Sequence, residues 1–275
     1  MTSIIVPKKP RLSPDPFIAP VYGTRGPCAL CLNYSDLTQN HVPPESVGNS
    51  EHWIARSYLA ASTANRDLYF GRQFKGGLRF RTLCADCNNG LGGKQDKVIG
   101  DFFECTRKLI ESPIILAPTV QVTTKPNHIY KGLLAHIVSA NDSGAPSTFD
   151  AEARDLFFGR KNLKSSTWNL FYWIYTNPKI FVMRNAYFTI WQPRVEIITI
   201  QIIKFYPLSF MFTQEPWFYG LPNMRLLLQS RDDEEVDVPI QVGRRDGHQF
   251  WPVTAEPSNM ILLAGNTFGL IGESR

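Results

Sequence analysis

Long apolar runs and cysteines are both scarce in this chain of 275 residues, which contains only five cysteines. The most apolar stretch, residues 195–212, is interrupted by Glu196, Gln201, Lys204 and Pro207, so it does not predict a membrane span. The first residues are apolar for fewer positions than a signal peptide needs before Lys8 and Lys9 follow. The sequence therefore predicts a cytoplasmic protein without a membrane segment.

Four of the five cysteines fall into two Cys-x-x-Cys pairs, Cys28 with Cys31 and Cys84 with Cys87. In a reducing compartment this spacing predicts a structural Zn²⁺ site of four thiolates rather than disulfides. The alternative is four unrelated cysteines. A site with four thiolates is coordinatively full, so any catalysis needs a second site. The fifth cysteine, Cys105, is interpreted as a small buried apolar side chain.

The net charge of +5 is unevenly distributed along the chain. Residues 1–110 hold fourteen Lys and Arg against nine Asp and Glu, whereas residues 111–275 hold fifteen of each. The whole excess lies in the first part. A polyanion such as nucleic acid would therefore bind there most plausibly.

Changes in composition divide the chain into four segments and predict an α+β fold. The predicted segments are a proline-rich basic arm (1–25), a zinc module (26–112), a helical connector (113–165) and a β-rich domain (166–275). The last segment contains β-branched and aromatic runs separated by turn signals, one of them MRLLLQS at 224–230. Its role is open, with target recognition, self-association and docking of a regulatory protein as the alternatives.

Within the zinc module, residues 50–63 predict a short helix with Trp53 and Tyr58 on one face. The stretch 71–84 predicts a hairpin that turns at 75–78, and a helix is predicted from about Lys94 to Ser112. The hairpin carries four cations that could contact phosphates, or could form a solvated basic face: Arg72, Lys75, Arg79 and Arg81. In the connector, Asp150 is predicted to cap a helix that stops at Gly159.

Three polar residues in two segments lie close to the cysteine pairs. Asn40 and His41 precede Val-Pro-Pro, which favours an extended backbone, and Asn88 directly follows Cys87. A zinc ion would draw these two segments together. We therefore predict a small pocket formed by His41, Asn40 and Asn88.

These residues carry a resemblance to a known family. The patterns CALC, LTQNHVPP and LCADCNNGLGGKQD resemble the HNH or ββα-metal endonucleases, in particular their zinc-stapled branch with four cysteines. The resemblance covers roughly residues 26–100. It implies an N-terminal zinc-bound ββα-metal module that hydrolyses phosphodiester bonds of DNA.

The resemblance also implies roles for single residues. Cys28, Cys31, Cys84 and Cys87 would hold Zn²⁺, and His41 would be the general base. Asn88 and Asn40 would bind one Mg²⁺ or Mn²⁺ ion that stabilises the leaving oxygen. In a prokaryote, phage defence would fit the family.

Several features depart from the family pattern. Position 40 is usually acidic, and Glu45 and Asp96 are two candidates for the missing charge. The middle Asn of the motif has no unique match, with Asn65 as one option, and the glycines at 90–93 predict a delayed helix start.

The alternative for His41 is a surface or packing residue, and the alternative for Asn88 is a cap at the start of the helix. The alternative function is a zinc-stapled nucleic-acid-binding module without catalysis, and a third hypothesis is an effector silenced by its β-rich domain. An Asn40→Asp variant should discriminate between the first two, since only a nuclease would gain activity.

Overall fold

The computed structural model of the chain describes residues 13–14, 23–58, 69–140, 147–191, 195–242 and 261–274. Helices and mainly antiparallel sheets alternate along the sequence, which confirms the mixed α+β class. Within these ranges, every helix is too short or too polar to cross a bilayer.

The strands and helices are numbered here in chain order. The strands are β1 Ser13–Pro14, β2 Arg25–Pro27, β3 Tyr34–His41, β4 Trp53–Ser57, β5 Tyr69–Phe70, β6 Arg72–Phe74, β7 Arg79–Cys84, β8 Thr119–Thr124, β9 Asn169–Ile174, β10 Ile180–Trp191, β11 Val195–Phe205, β12 Leu208–Thr213, β13 Val236–Gln241 and β14 Ile261–Ser274. The α-helices are α1 Ala85–Gly90, α2 Asp96–Glu111, α3 Pro126–Ser139 and α4 Thr148–Phe157.

A three-stranded sheet in the order β2-β3-β7 carries His41 and Cys84. Cys28 and Cys31 lie between β2 and β3, and Cys87 lies in α1. The predicted hairpin over 71–84 is wrong, because β6 pairs with β4 while β7 pairs with β3. The turn itself exists, with Gly76 and Gly77 at φ 71° and 96°. These positive φ angles suit glycine, and they direct the two flanking strands into different sheets.

A helical segment follows β7 without a break. Helix α1 begins at Ala85, a π-helical turn spans Leu91–Gln95, and α2 continues to Glu111. The predicted delay of the helix at the glycines is therefore wrong. The wider π turn keeps these residues helical, and it buries Leu91 and Gln95.

The largest sheet has seven strands in the order β6-β4-β14-β10-β11-β12-β9. Residues 53–57 form a strand and not the predicted helix, because Trp53, Ala55 and Ser57 alternate toward the core and pair with β14. The predicted zinc module thus contributes β4 and β6 to a sheet built mainly from the predicted β-rich domain. One cluster of buried apolar residues has members on both sides of the predicted boundaries at 112 and 165.

Two helices lie between these sheets. Every residue of α3 is buried, including the polar side chains of Asn127, Lys131 and His136. Helix α4 is capped by Ser147, and Asp150 is the third helical residue of a capping box rather than the predicted cap. Gly159 ends the helix with φ 70°, as predicted.

A short helix between β12 and β13 corrects one further prediction. The run MRLLLQS forms a 3₁₀ helix over Met224–Leu227 and not a strand. Only Met224 of this turn is buried, so the run lacks the alternating burial of a sheet strand.

Candidate functional site

Cys28, Cys31, Cys84 and Cys87 form a compact cluster whose four sulfur atoms lie within 4.8 Å of one another. The Sγ atoms of Cys31 and Cys84 are 3.8 Å apart. A tetrahedral Zn²⁺ ion with Zn–S bonds of about 2.3 Å requires sulfur separations of roughly 3.8 Å. The cluster could therefore hold a metal ion such as zinc, as its spacing predicts.

Backbone hydrogen bonds shape the first cysteine pair into a tight turn. The Cys28 amide donates to the Asn33 carbonyl at 2.9 Å, and the Leu32 amide donates to the Cys28 carbonyl at 2.9 Å. Leu32 takes φ 66°, a left-handed conformation that closes the turn at some steric cost. The turn directs both sulfur atoms toward the start of α1.

The second pair begins where β7 becomes α1. Cys84 is the last residue of the strand and the N-cap of the helix, and its amide donates to the Cys28 Sγ at 3.3 Å. Burial raises the pKa of the Cys28 thiol, but backbone hydrogen bonds led by that of Cys84 outweigh this effect and lower the pKa overall. Burial raises the pKa of Cys87. A bound cation would favour the thiolate at each position.

His41 is the last residue of β3 and keeps about a fifth of its side chain exposed. Its Nε2 lies 3.0 Å from the Gly76 carbonyl, and since a carbonyl only accepts, Nε2 is the donor. Nδ1 faces the Glu45 carboxylate at 3.8 Å. This arrangement holds the ring with Nδ1 beside a largely exposed carboxylate.

Asn49 holds the loop behind His41, and sequence reasoning missed it. Its Nδ2 donates to the Pro43 and Leu78 carbonyls at 2.6 and 3.1 Å, and its Oδ1 accepts from the Leu78 amide at 2.8 Å. The side chain is 2% exposed. Asn49 therefore ties the loop after β3 to the start of β7. The glycine turn at 76–77 is the sequence signal for this role of Asn49. Backbone groups buried near such a turn need hydrogen-bond partners, and a buried side-chain amide can supply them.

Gly77 brings the turn into direct contact with the imidazole. A Cβ at this position would lie 2.4 Å from His41 Cδ2 and 2.2 Å from the Asn49 carbonyl oxygen. Only glycine permits this approach at φ 96°.

Asn88 lies in α1 and reaches back to β3. Its Nδ2 donates to the Thr38 Oγ1 at 3.1 Å and to the Gln39 carbonyl at 3.2 Å. Cys84, not Asn88, caps the helix, so the helix-cap alternative is wrong. Among the described residues, none donates a hydrogen bond to Asn88 Oδ1, which leaves this oxygen available to a ligand.

Asn40 does not share the side of β3 on which His41 lies. The side chain is 3% exposed, its Nδ2 donates to Ser139 Oγ at 2.9 Å, and its Oδ1 accepts from Thr82 Oγ1 at 3.1 Å. Alternation along a strand directs residues 40 and 41 to opposite faces. The expected convergence of Asn40 with His41 and Asn88 is therefore wrong. Both Nδ2 and Oδ1 of Asn40 form hydrogen bonds inside the protein.

Of the two carboxylates considered as substitutes for an acidic residue 40, Glu45 is the one beside His41. The Asp96 carboxylate instead accepts from His136 Nε2 at 2.7 Å, and the Asp96 backbone carbonyl accepts from Ser46 Oγ. Asn65 lies outside the described residues. Cys105 is exposed on α2 and outside the cluster, which corrects its predicted burial.

The four predicted phosphate contacts lie in two different sheets and in the turn between them. Arg79 lies directly opposite His41 in the β3–β7 ladder, and Arg81 lies opposite Gln39. Residues opposite one another in a ladder share a face, so Arg79 is the cation nearest to His41 along the strands. Arg72 is in β6 over the Phe74 ring, where burial lowers its pKa, and Lys75 is exposed in the turn.

No protein-family model, no curated protein and no solved structure matches this chain. The cysteine cluster supports metal binding by the N-terminal part.

Proposed function

We propose that this protein is a metal-dependent endonuclease of the HNH type that hydrolyses phosphodiester bonds in DNA. The observation that carries the proposal is the orientation of His41, whose Nε2 is bound to Gly76 while Nδ1 faces outward beside Glu45. The chain order β3, β7, α1 is the order of a ββα-metal unit. One cysteine pair lies before β3, and the other lies where β7 becomes α1. The resemblance in sequence and this topology support each other.

His41 would take a proton from a water molecule on its outward side. With Nε2 donating to a carbonyl, Nδ1 carries the lone pair that a general base needs. The contact with Gly77 limits rotation of the ring, so the lone pair is held in one direction. Arg79, opposite His41, would pair with the phosphate oxygens as negative charge builds up on them.

The oxygens that fit a catalytic Mg²⁺ or Mn²⁺ ion are Asn88 Oδ1 and the exposed Glu45 carboxylate, whereas Asn40 does not fit. When bound, such an ion would supply Lewis-acid stabilisation of the leaving oxygen. Glu45 would provide the charge that an acidic residue at position 40 usually provides in this family.

The test is cleavage of a supercoiled plasmid by the purified zinc-loaded protein with Mg²⁺ or Mn²⁺. We expect His41→Ala to lose roughly a hundredfold or more of the rate, the range for removal of a general base. His52→Ala is the matched control, because His52 is an exposed histidine of the same region. Equal rates for wild type and His41→Ala would refute the role of His41.

A second candidate function is DNA binding without cleavage. The burial of Asn40 favours it, since the position that usually supplies a charged metal ligand is removed from the site. A protein that binds DNA, retains zinc and leaves the plasmid intact with every divalent ion tested would support this second function over the first.

A further inference from the structure

A cavity lies beside the cysteine cluster, next to β2 and α4. Its volume is about 200 Å³, and Cys28 is one of its lining residues. Three arginines from separate elements line it: Arg25 of β2, Arg81 of β7 and Arg154 of α4. No Asp or Glu is among its lining residues. The cavity therefore concentrates positive charge without a compensating acid in its wall.

Arg154 is the central observation, because its residue surface is only 8% exposed. Its Nε donates to the Ala29 carbonyl at 2.8 Å, and this bond fixes the guanidinium at the cysteine turn. Within the described ranges, Arg154 forms no ion pair with a carboxylate. Burying a cation that faces no anion is costly, so a buried arginine of this kind indicates a site for an anionic ligand.

The acids nearest to Arg154 in sequence are engaged elsewhere. Asp150 pairs with the buried Arg184 of β10, and Asp155 pairs with Arg160 at 2.8 Å. Glu152 accepts from Thr167 and pairs with Lys161 at 3.0 Å. The sequence around α4 thus supplies three acids, and none of them neutralises Arg154.

Arg81 and Arg25 differ from Arg154 in how strongly they are held. Arg81 donates through Nη1 to the Leu37 carbonyl at 3.2 Å and lines the cavity, and within the described residues its Nη2 has no hydrogen-bond partner. Arg25 is exposed and pairs with the exposed Asp36 at 3.1 Å. An exposed pair of this kind contributes little, so Arg25 can exchange Asp36 for another anion.

The surface next to the cavity suits the base of a nucleotide. Leu32 lines the cavity and is 57% exposed, and Tyr34, with Arg25 over its ring, is 71% exposed. Exposed aromatic rings beside arginines bind nucleic-acid strands by stacking under bases while the cations contact phosphates. We propose that this cavity binds a phosphate group of a nucleic-acid backbone, with Arg154 and Arg81 as its donors.

This proposal rests on the nucleic-acid part of the proposed function and not on cleavage. Arg81 belongs both to this cavity and to the β3–β7 face that carries His41. A strand that contacts the cavity would therefore extend along β7 toward Arg79 and His41. The cavity would position DNA beside the candidate catalytic residue without taking part in the reaction.

The test is a fluorescence anisotropy titration of labelled single-stranded and duplex DNA at several NaCl concentrations, with the full-length zinc-loaded His41→Ala protein. Loss of one phosphate contact lowers the slope of log K against log salt by about 0.7–0.9. We expect this loss for Arg154→Gln in the His41→Ala background. Arg160→Gln, an exposed arginine just beyond α4, is the matched control and should leave the slope unchanged.

Arg154→Gln could disturb the cysteine turn, so zinc content and the unfolding midpoint are measured for each variant. Arg25→Gln lies on the surface and tests the same cavity without that risk. The proposal is overturned if Arg154→Gln and Arg25→Gln both keep the slope of the parent. A loss of zinc from Arg154→Gln with an unchanged slope would instead assign this arginine to balancing the charge of the thiolates.

A final arm separates the two sources of phosphate. If inorganic phosphate binds the parent protein in an Arg154-dependent way while the DNA slope is unaffected, the ligand is a free anion and the assignment to nucleic acid is wrong. If the wild type fails to cut plasmid but Arg154→Gln still lowers the slope, the endonuclease proposal fails and the phosphate site stands.

Discussion

Removal of the ion from the cysteine cluster should destabilise the whole N-terminal sheet. Cys31 and Cys84 are 53 positions apart, so a bound ion closes a long loop that the unfolded chain would otherwise leave open. Treating the ion as a cross-link of this length, the loop-closure entropy alone gives about 4 kcal/mol of stability at 25 °C. The metal–thiolate bonds add to this value.

The assay is urea unfolding of the zinc-loaded protein, with and without a strong chelator, alongside a measurement of zinc per chain. Cys31→Ser and Cys84→Ser should bind less zinc and unfold at lower urea, with a decrease in the free energy of unfolding on the order of 4 kcal/mol. Cys105→Ser is the control, because Cys105 is exposed and outside the cluster. The reasoning is refuted if the chelated and zinc-loaded proteins unfold at the same urea concentration.

Two further predictions concern other parts of the chain. Burial lowers the pKa of Lys204 to about 7 in the native chain, whereas the ordinary value of 10.5 applies to the unfolded chain. Between these two pH values the unfolded chain therefore holds a proton that the native chain has lost. The free energy of unfolding should rise across this pH range by a few kcal/mol, and the rise should be absent in Lys204→Met; parallel pH curves for the two proteins would contradict this. Gly77→Ala should cost roughly 1–3 kcal/mol and displace the His41 ring, since its Cβ would overlap both His41 and Asn49. Gly76→Ala, with a similar φ and no atom within 4 Å, should cost less in urea unfolding and leave the histidine NMR shifts unchanged.

The features that sequence patterns predicted are those set by short spacings. Two Cys-x-x-Cys pairs predicted the cluster, and the helix predicted from about Lys94 to Ser112 corresponds to α2. Residues 53–57 were misread because their hydrogen-bonding partner is β14, and Arg56 contacts Glu273 across 217 positions. No local pattern reveals such a distant partner, and β propensity depends strongly on it.

Asn40 illustrates a second limit of sequence reasoning. Its place beside His41 suggested a metal ligand, but the side chain lies between Thr82 and Ser139 in the interior. An Asn40→Asp variant would bury a carboxylate without a cation, so a gain of activity is no longer the expected result. A neutral amide suits this position because it can both donate and accept there.

Because β14 pairs with β4, residues 261–274 and residues 53–57 depend on each other through one hydrogen-bonded ladder. A recombination event that exchanged the C-terminal region would have to supply β4 with a new strand of matching register from Leu270 to Ser274. Without it, Trp53 and Ala55 would lose their cover, and an open strand edge would invite pairing between copies. The region with the cysteine cluster and the strand-rich region are therefore expected to be inherited together rather than exchanged as separate modules.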